Sequence, residues 1–411
     1  MTCEVAVMNK RGIALAADSA VTVGDGQKIY RTAEKLLSLS PSVPVAIMTF
    51  GAADMMGVPW ETIVKIYADD LGSRRFDRLD QYAKDFLRFI EGATALFPAE
   101  DQQANITGVV HAVWSKLYRE KLPKQLPAGG TLTALLADTI RDDHKIWEKY
   151  PNLAGFAPTY GGRVVNAYAK AIAQVETQVF DGINLPARIR RDLRKTVAFM
   201  FGKEWIHPDD ETGIVIAGIG DSEPFPTLLY YRVGTVAAGK LRYVQAAETR
   251  IGSTSTAAVM PFAHRETIDM IINGIHPDLL KKVIADVGHR IPAAGKTNRR
   301  IPGPKHTAAH EIASRSQDFQ QYITHEIEQR YDQPFMAAVA ALPRQDLANM
   351  AEALVSLTAF LMRMSADQPE TVAEPIDVAM LSKGDGFVWI KHKDFLDQVS
   401  CPRCRVSGPA R

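Results

Sequence analysis

Residues 2–24, TCEVAVMNKRGIALAADSAVTVG, decide the fold. Two apolar runs, from Glu4 to Met8 and from Ile13 to Asp18, flank Asn9-Lys10-Arg11-Gly12, and that polar, glycine-ended break is the mark of a hairpin between two strands. Neither run alternates apolar with polar residues, so both faces of the sheet are expected to be covered. The stretch also opens with a hydroxyl and a thiol side by side, Thr2 and Cys3, directly after Met1. Residue 2 is small enough for the initiator methionine to be trimmed, which would leave Thr2 carrying a free α-amine.

Outward from this stretch, KIYRTAEKLLSLS (28–40) and PVAIMTFG (44–51) add two further strands around the turn at Ser40, Pro41 and Ser42. After Gly51 the spacing becomes helical, with Tyr82, Phe86, Phe89 and Ile90 on one face. Residues 95–207 read mainly as helix, with Trp114, Leu117 and Tyr118 in one amphipathic run and QLPAGGTL (125–132) interrupting it. Strands return at GIVIAGIG (213–220), TLLYYRVG (227–234) and KLRYVQA (240–246), followed by a helix expected from Thr256 to Ile275. Residues 288–306 form a basic, Pro/Gly-rich stretch, read as a solvated loop or as an arm that grips an acidic partner or a neighbouring subunit. A helix over 346–365 leads into a closing strand, turn and strand at PIDVAMLSKGDGFVWI (375–390), and residues 399–411 are expected to be disordered. Strands, helices, strands, helices, strands is the order of an α+β protein, not of alternating βαβ units.

Lysine plus arginine number 48 and aspartate plus glutamate 47, so no net charge draws the chain to nucleic acid or to a membrane surface. No run approaches the roughly 18 apolar residues of a membrane span, and a cytoplasmic protein is expected. The three cysteines, Cys3, Cys401 and Cys404, are too few and too scattered for a disulfide framework. Cys401 and Cys404 form a lone CxxC in a tail without a second ligand pair, which reads as a chance spacing.

Three groups near the start could converge: Thr2 opens the first strand, Asp18 ends the second, and Lys35 falls within the third. An α-amine has a reference pKa of about 7.7–8.0 and so can take the proton of its own residue's hydroxyl. A nearby ammonium lowers the amine pKa further, and a carboxylate holds that ammonium in place. This is the equipment of an N-terminal threonine nucleophile. Cys3 is the rival, but it becomes N-terminal only if Thr2 is lost, and strand alternation sends its side chain to the opposite face.

On these residues, and on RTAEKL around Lys35 and PVAIMTFGAADMM after it, the chain resembles the proteasome β-type subunits and the related bacterial heat-shock peptidase, which are N-terminal nucleophile hydrolases. The resemblance resumes at GIVIAGIGDSEPFPTLLYYRVG, at RIGSTSTAAV and at the closing hairpin. It implies a four-layer αββα sandwich built from 1–94, 208–275 and 331–398, with helical insertions at 95–207 and 276–330. It implies Thr2, Asp18, Lys35 and Ser253 as catalytic residues, Phe50 and Gly51 at the oxyanion position, and Thr22 as a contact to substrate backbone. No metal or organic cofactor is implied. Peptides or unfolded proteins are the implied substrates, with a homo-oligomer and an ATP-dependent unfoldase as implied partners. The chain departs from the pattern at Ala20, where the family has arginine, and at Phe50, which adds a ring beside the pocket. It departs again at 366–375, where Asp367 or Glu370 would have to stand in for an absent aspartate and serine. The alternatives are a non-catalytic scaffold subunit and an amidase of small molecules.

Overall fold

The computed structural model describes residues 3–23, 28–30, 33–40, 43–121, 131–290, 306–364, 372 and 374–393. Along the chain, β1 (Cys3–Asn9), β2 (Gly12–Asp18), β3 (Val21–Val23), β4 (Lys28–Tyr30), β5 (Leu36–Ser40), β6 (Val43–Gly51), β7 (Asp54–Met55) and β8 (Val58–Pro59) come first. The α-helices that follow among the described residues are α1 (Trp60–Leu71), α2 (Leu79–Gly92), α3 (Ala99–Lys116), α4 (Leu132–Trp147), α5 (Tyr160–Ala167), α6 (Ala169–Val179) and α7 (Ala187–Gly202). Then come β9 (Thr212–Gly218), β10 (Thr227–Ala237), β11 (Lys240–Arg250) and β12 (Ala257–Ala263). The chain continues through α8 (Glu266–Asn273), α9 (Pro277–Arg290), α10 (His306–Ile327), α11 (Gln333–Ala341) and α12 (Arg344–Met364) to β13 (Ile376–Ser382) and β14 (Gly386–Lys391). The protein is α+β, as the order of strand and helix signals implies, with two five-stranded sheets in the orders β12-β1-β2-β13-β14 and β11-β10-β9-β6-β5.

The chain divides into two compact units, one made of 1–48, 217–227 and 249–411 and the other of 49–216 and 228–248. The first unit contains the whole first sheet. Every residue of β1, β2 and β13 is buried, which is what strands without alternation require. One face meets α12, whose Leu347, Ala348, Ala351, Val355 and Ala359 pack on Cys3, Val5, Val7, Ala14, Ala16, Val378 and Met380. The small side chains on both sides let helix and sheet approach closely. By length and composition α12 could cross a membrane; one of its faces is laid on this sheet, while Leu357, Phe360, Leu361 and Met364 are exposed. Asn9 Nδ2 donates to Val339 O at 2.9 Å and Leu342 O at 3.0 Å, tying the end of β1 to the end of α11.

β12 corrects a helix expected over 256–275: residues 257–263 pair with β1, and helix begins only at Glu266. A proline, Pro261, is admitted in β12 because this strand is an edge of the sheet. The single strand expected over 28–40 is also two, β4 and β5, and Lys35 lies just ahead of β5 instead of within a strand.

The second unit holds a helical core of its own. Trp114, Leu117, Ile140, Tyr160, Ile172, Leu193, Met200 and Phe201, from α3 to α7, meet in one buried cluster. Tyr160 Oη donates to Ala237 O at 2.7 Å, tying α5 to β10. In α2 the expected face is present, with Tyr82, Phe86 and Ile90 buried and Phe89 against the Tyr67 ring at 5.4 Å.

Candidate active site

β2 ends in Asp18, which is fully buried. One of its oxygens, Oδ1, accepts from Cys3 N at 2.9 Å and from Lys35 Nζ at 2.9 Å. The other, Oδ2, accepts from Ala20 N at 3.0 Å. Cys3 N belongs to the peptide bond joining residues 2 and 3. Two 2.9 Å bonds to one atom keep the Lys35 ammonium within twice that distance of the bond. The hairpin brings Asp18 there because Glu4 pairs with Ala17 in its register. Three of the sequence-derived site positions, 3, 18 and 35, thus meet at the same end of one sheet. Thr2 itself lies outside the described residues.

Cys3 is no rival as it stands. Its side chain is buried on the α12 face, and burial pushes its thiol up to about 12, against a smaller lowering by a hydrogen bond with Thr358. A thiol so held is not a thiolate near neutral pH.

Glu4, one residue on, was not foreseen as part of the site. It is fully buried, and neither carboxyl oxygen has a hydrogen-bond partner among the described residues. Burial raises its pKa well above the ordinary value, the Lys35 ammonium lowers it in part, and Asp18 raises it further. Its carboxyl is therefore neutral at pH values where an exposed glutamate is ionised. A charged residue inside TCEVAVM was the available signal, because such a strand has no solvent face for it.

A second buried pair stands on the neighbouring strand. Lys393 Nζ donates to Asp377 Oδ2 at 2.5 Å, and Asp377 of β13 pairs with Ala17 of β2. Burial pushes the Asp377 carboxyl up, but hydrogen bonds from His392 and Lys393 outweigh it and hold the pKa below the usual value.

The remaining expected residues are placed elsewhere. Ser253 sits on an exposed turn closed by Gly252 N donating to Ser255 O at 2.8 Å. The turn precedes β12, whose Ala257 pairs with Asn9 and whose Ala263 pairs with Cys3. Ser253 is therefore at the far end of β1 from Asp18, and the expectation that it organises the threonine amine is corrected by this register. The residue at the near end is Ala263, with φ of 58°.

Phe50 and Gly51 belong to the second unit. Gly51 has φ of 92°, and a side chain there would come within 2.5 Å of Glu211 O. The Phe50 ring lies over Gly213, where a Cβ would approach it to 2.2 Å, and 5.6 Å from the Tyr230 ring. Gly213 is thus what admits a ring at position 50. Thr22 is on β3 opposite Ile29. Asp367, Glu370, Cys401 and Cys404 lie outside the described residues, as do 291–305 of the basic stretch and the tail.

No protein-family model matches the chain, and no curated protein does. Among solved structures it is similar to a Gly-1 mutant of Anbu from Hyphomicrobium sp. strain MC1, at 12% identity and a TM-score of 0.30, over 96% of this chain and 86% of that one. A second is Anbu, an ancestral beta-subunit, from Yersinia bercovieri, at 10% identity and 0.28, over 94% and 87%. A third is Anbu from the same Hyphomicrobium strain, at 10% identity and 0.26, over 95% and 86%. The relationship is coarse, and the chemistry has to be argued from the residues.

Proposed function

We propose that the chain is an N-terminal-threonine amide hydrolase of the peptidase type, with Thr2 exposed by removal of Met1. The observation that carries this reading is the shared Asp18 oxygen, which fixes the Lys35 ammonium beside the peptide of residues 2 and 3. In the proposed reaction the Thr2 hydroxyl oxygen attacks the amide carbon and passes its proton to the Thr2 α-amine. The C–N bond then breaks, the proton goes to the leaving amine, and an acyl ester remains. Water attacks the ester, giving one proton through the same amine back to the threonine oxygen, and the acid is released. Lys35 lowers the amine pKa so that the base is free near neutral pH, and Asp18 holds Lys35 in place. Peptide or unfolded-protein substrates, assembly with further copies and service to an ATP-dependent unfoldase are part of the same proposal.

A scaffold subunit would have little use for the buried pair. Replacing a buried ion pair with apolar residues of similar volume is often neutral or stabilising, so its presence favours a chemical role. The test is the intact mass before and after treatment with a peptide epoxyketone, which forms its ring adduct only with an N-terminal amine and its adjacent hydroxyl. Loss of Met1 plus one adduct, absent in Thr2→Ala, is the expected result. Retained Met1 without adduct would overturn the reading. Unstructured peptides assayed beside small amides separate a peptidase from a small-molecule amidase.

A further inference from the structure

Lys393 and Asp377 take no part in that chemistry, yet they are built into the same end of the sheet. Lys393 lies two residues past β14 and is buried. Besides Asp377, its Nζ donates to Ala33 O at 2.6 Å and to Ser19 Oγ at 2.7 Å. Asp377 is held in turn: its Oδ1 accepts from Lys393 N at 3.0 Å, and His392 Nδ1 lies 3.2 Å away. One ammonium thus ties three separate stretches: β13, the residue after Asp18, and the residue two before Lys35.

Between Ser19 and Ala33 the chain leaves the sheet and returns through the β3–β4 pair. The two ends of this excursion share a backbone bond, Ala33 N donating to Ser19 O, but at 3.3 Å it is a long one. The charge-assisted contacts of Lys393 are shorter and stronger. The ammonium therefore closes the excursion more firmly than its own backbone does. An apolar side chain at 393 could fill the volume, but it could not donate to Ser19 and Ala33.

We propose that Lys393, seated on Asp377, is a positioning residue for the site: by clamping Ser19 to Ala33 it fixes where Lys35 meets Asp18. The inference rests on the threonine reading above. Its consequence is electrostatic. If the clamp loosens, the Lys35 ammonium draws away from the Thr2 amine, and the amine stays protonated to a higher pH.

The test uses the full chain and two substitutions. Lys393→Met removes the clamp, and Ser19→Ala removes one of its contacts while leaving the ion pair, which covers the case in which Lys393→Met does not fold. The first reading is amide hydrogen exchange at Ala20 and Ala33. About tenfold faster exchange is expected in Lys393→Met and a smaller increase in Ser19→Ala, with Val355 in α12 unchanged. The second is the pH profile of Thr2 acylation by a peptide β-lactone, followed by intact mass. The acidic limb is expected to move to higher pH, so that the rate at pH 7 falls about tenfold in Lys393→Met and recovers at pH 9. Unaltered exchange in both variants overturns the inference. So does an acylation rate that falls in proportion at every pH, which is what mere loss of folded protein produces. Wild-type protein that is not acylated at any pH overturns the threonine reading, and the inference falls with it; an unmoved limb in variants of an active wild type overturns the inference alone.

Discussion

Arg242 in the helical unit and the charged cluster of the first unit show two ways of satisfying buried charge. In the helical unit Arg242 is fully buried, and its guanidinium donates to Met200 O at 2.8 Å and Trp205 O at 2.6 Å, with the Phe201 ring 4.9 Å away. Burial pulls its pKa down to about 10. Its acceptors are backbone carbonyls at and just past the end of α7, so the charge serves as a clamp on that end. In the first unit, Glu4, Asp18, Lys35, Asp377 and Lys393 gather at one end of one sheet, and ammonium meets carboxylate there. Among the described residues three acids and two ammoniums gather there, and the acid without a hydrogen-bond partner is Glu4. A charge spent on local carbonyls holds a fold together. Charges that converge from β1, β2, β13 and two connecting segments are a more costly arrangement, and such an arrangement fits the proposed site.

This contrast can be broken in several ways. The largest effect belongs to Thr2→Ala, which should lower turnover by about 10³-fold or more with thermal unfolding unchanged; retained turnover would make the charged cluster no more than a polar core. Asp18→Asn, or Lys35→Met alone, should cost about 3–5 kcal/mol by leaving a buried charge unpaired, while Asp18→Asn combined with Lys35→Met, which keeps an acceptor at position 18, should recover part of that stability without activity. Denaturation curves of the three variants decide it. Leu193→Ala, in the helical core, should cost about 2–5 kcal/mol and leave the pH profile of acylation where it was. A moved profile would mean that the helical unit shares in the electrostatics of the site.

Glu4→Gln should raise stability near neutral pH by roughly 1–3 kcal/mol. The sign follows from linkage: an acid whose folded pKa lies above its unfolded value adds stability below the unfolded value, 4.5, and loses it as pH rises through the folded one. The advantage of the glutamine variant should therefore shrink as pH falls towards 4.5, and an advantage that grows on acidification would contradict a neutral Glu4. The smallest effect is expected at Cys3, whose buried thiol should resist iodoacetamide at pH 8 until the protein is unfolded.

Much of the first sheet could be read from local pattern. The β1–β2 hairpin follows from an apolar run on either side of a polar turn, and burial of both faces follows from the lack of alternation. β12 could not be read in the same way, because a proline in a seven-residue segment looks unlike a strand until an edge position excuses it. The misplacement of Ser253 has the same root. With β12 taken for helix, nothing in the sequence says which end of β1 the Gly-Ser-Thr-Ser turn should meet. The buried glutamate was visible as an exception to an apolar run, but its lack of a partner was not.

By itself the sequence determined the α+β class, the hairpin that opens it, and the trio of Thr2, Asp18 and Lys35 as candidates, because these rest on contacts between near neighbours or on residue chemistry. Only the tertiary structure decided that one Asp18 oxygen serves both Cys3 N and Lys35, that Ser253 stands at the far end, and that Lys393 bridges Ser19, Ala33 and Asp377. Ser19 and Lys393 are 374 residues apart. No local pattern encodes such a contact, since it exists only once five strands have taken their order and brought the last hairpin beside the first.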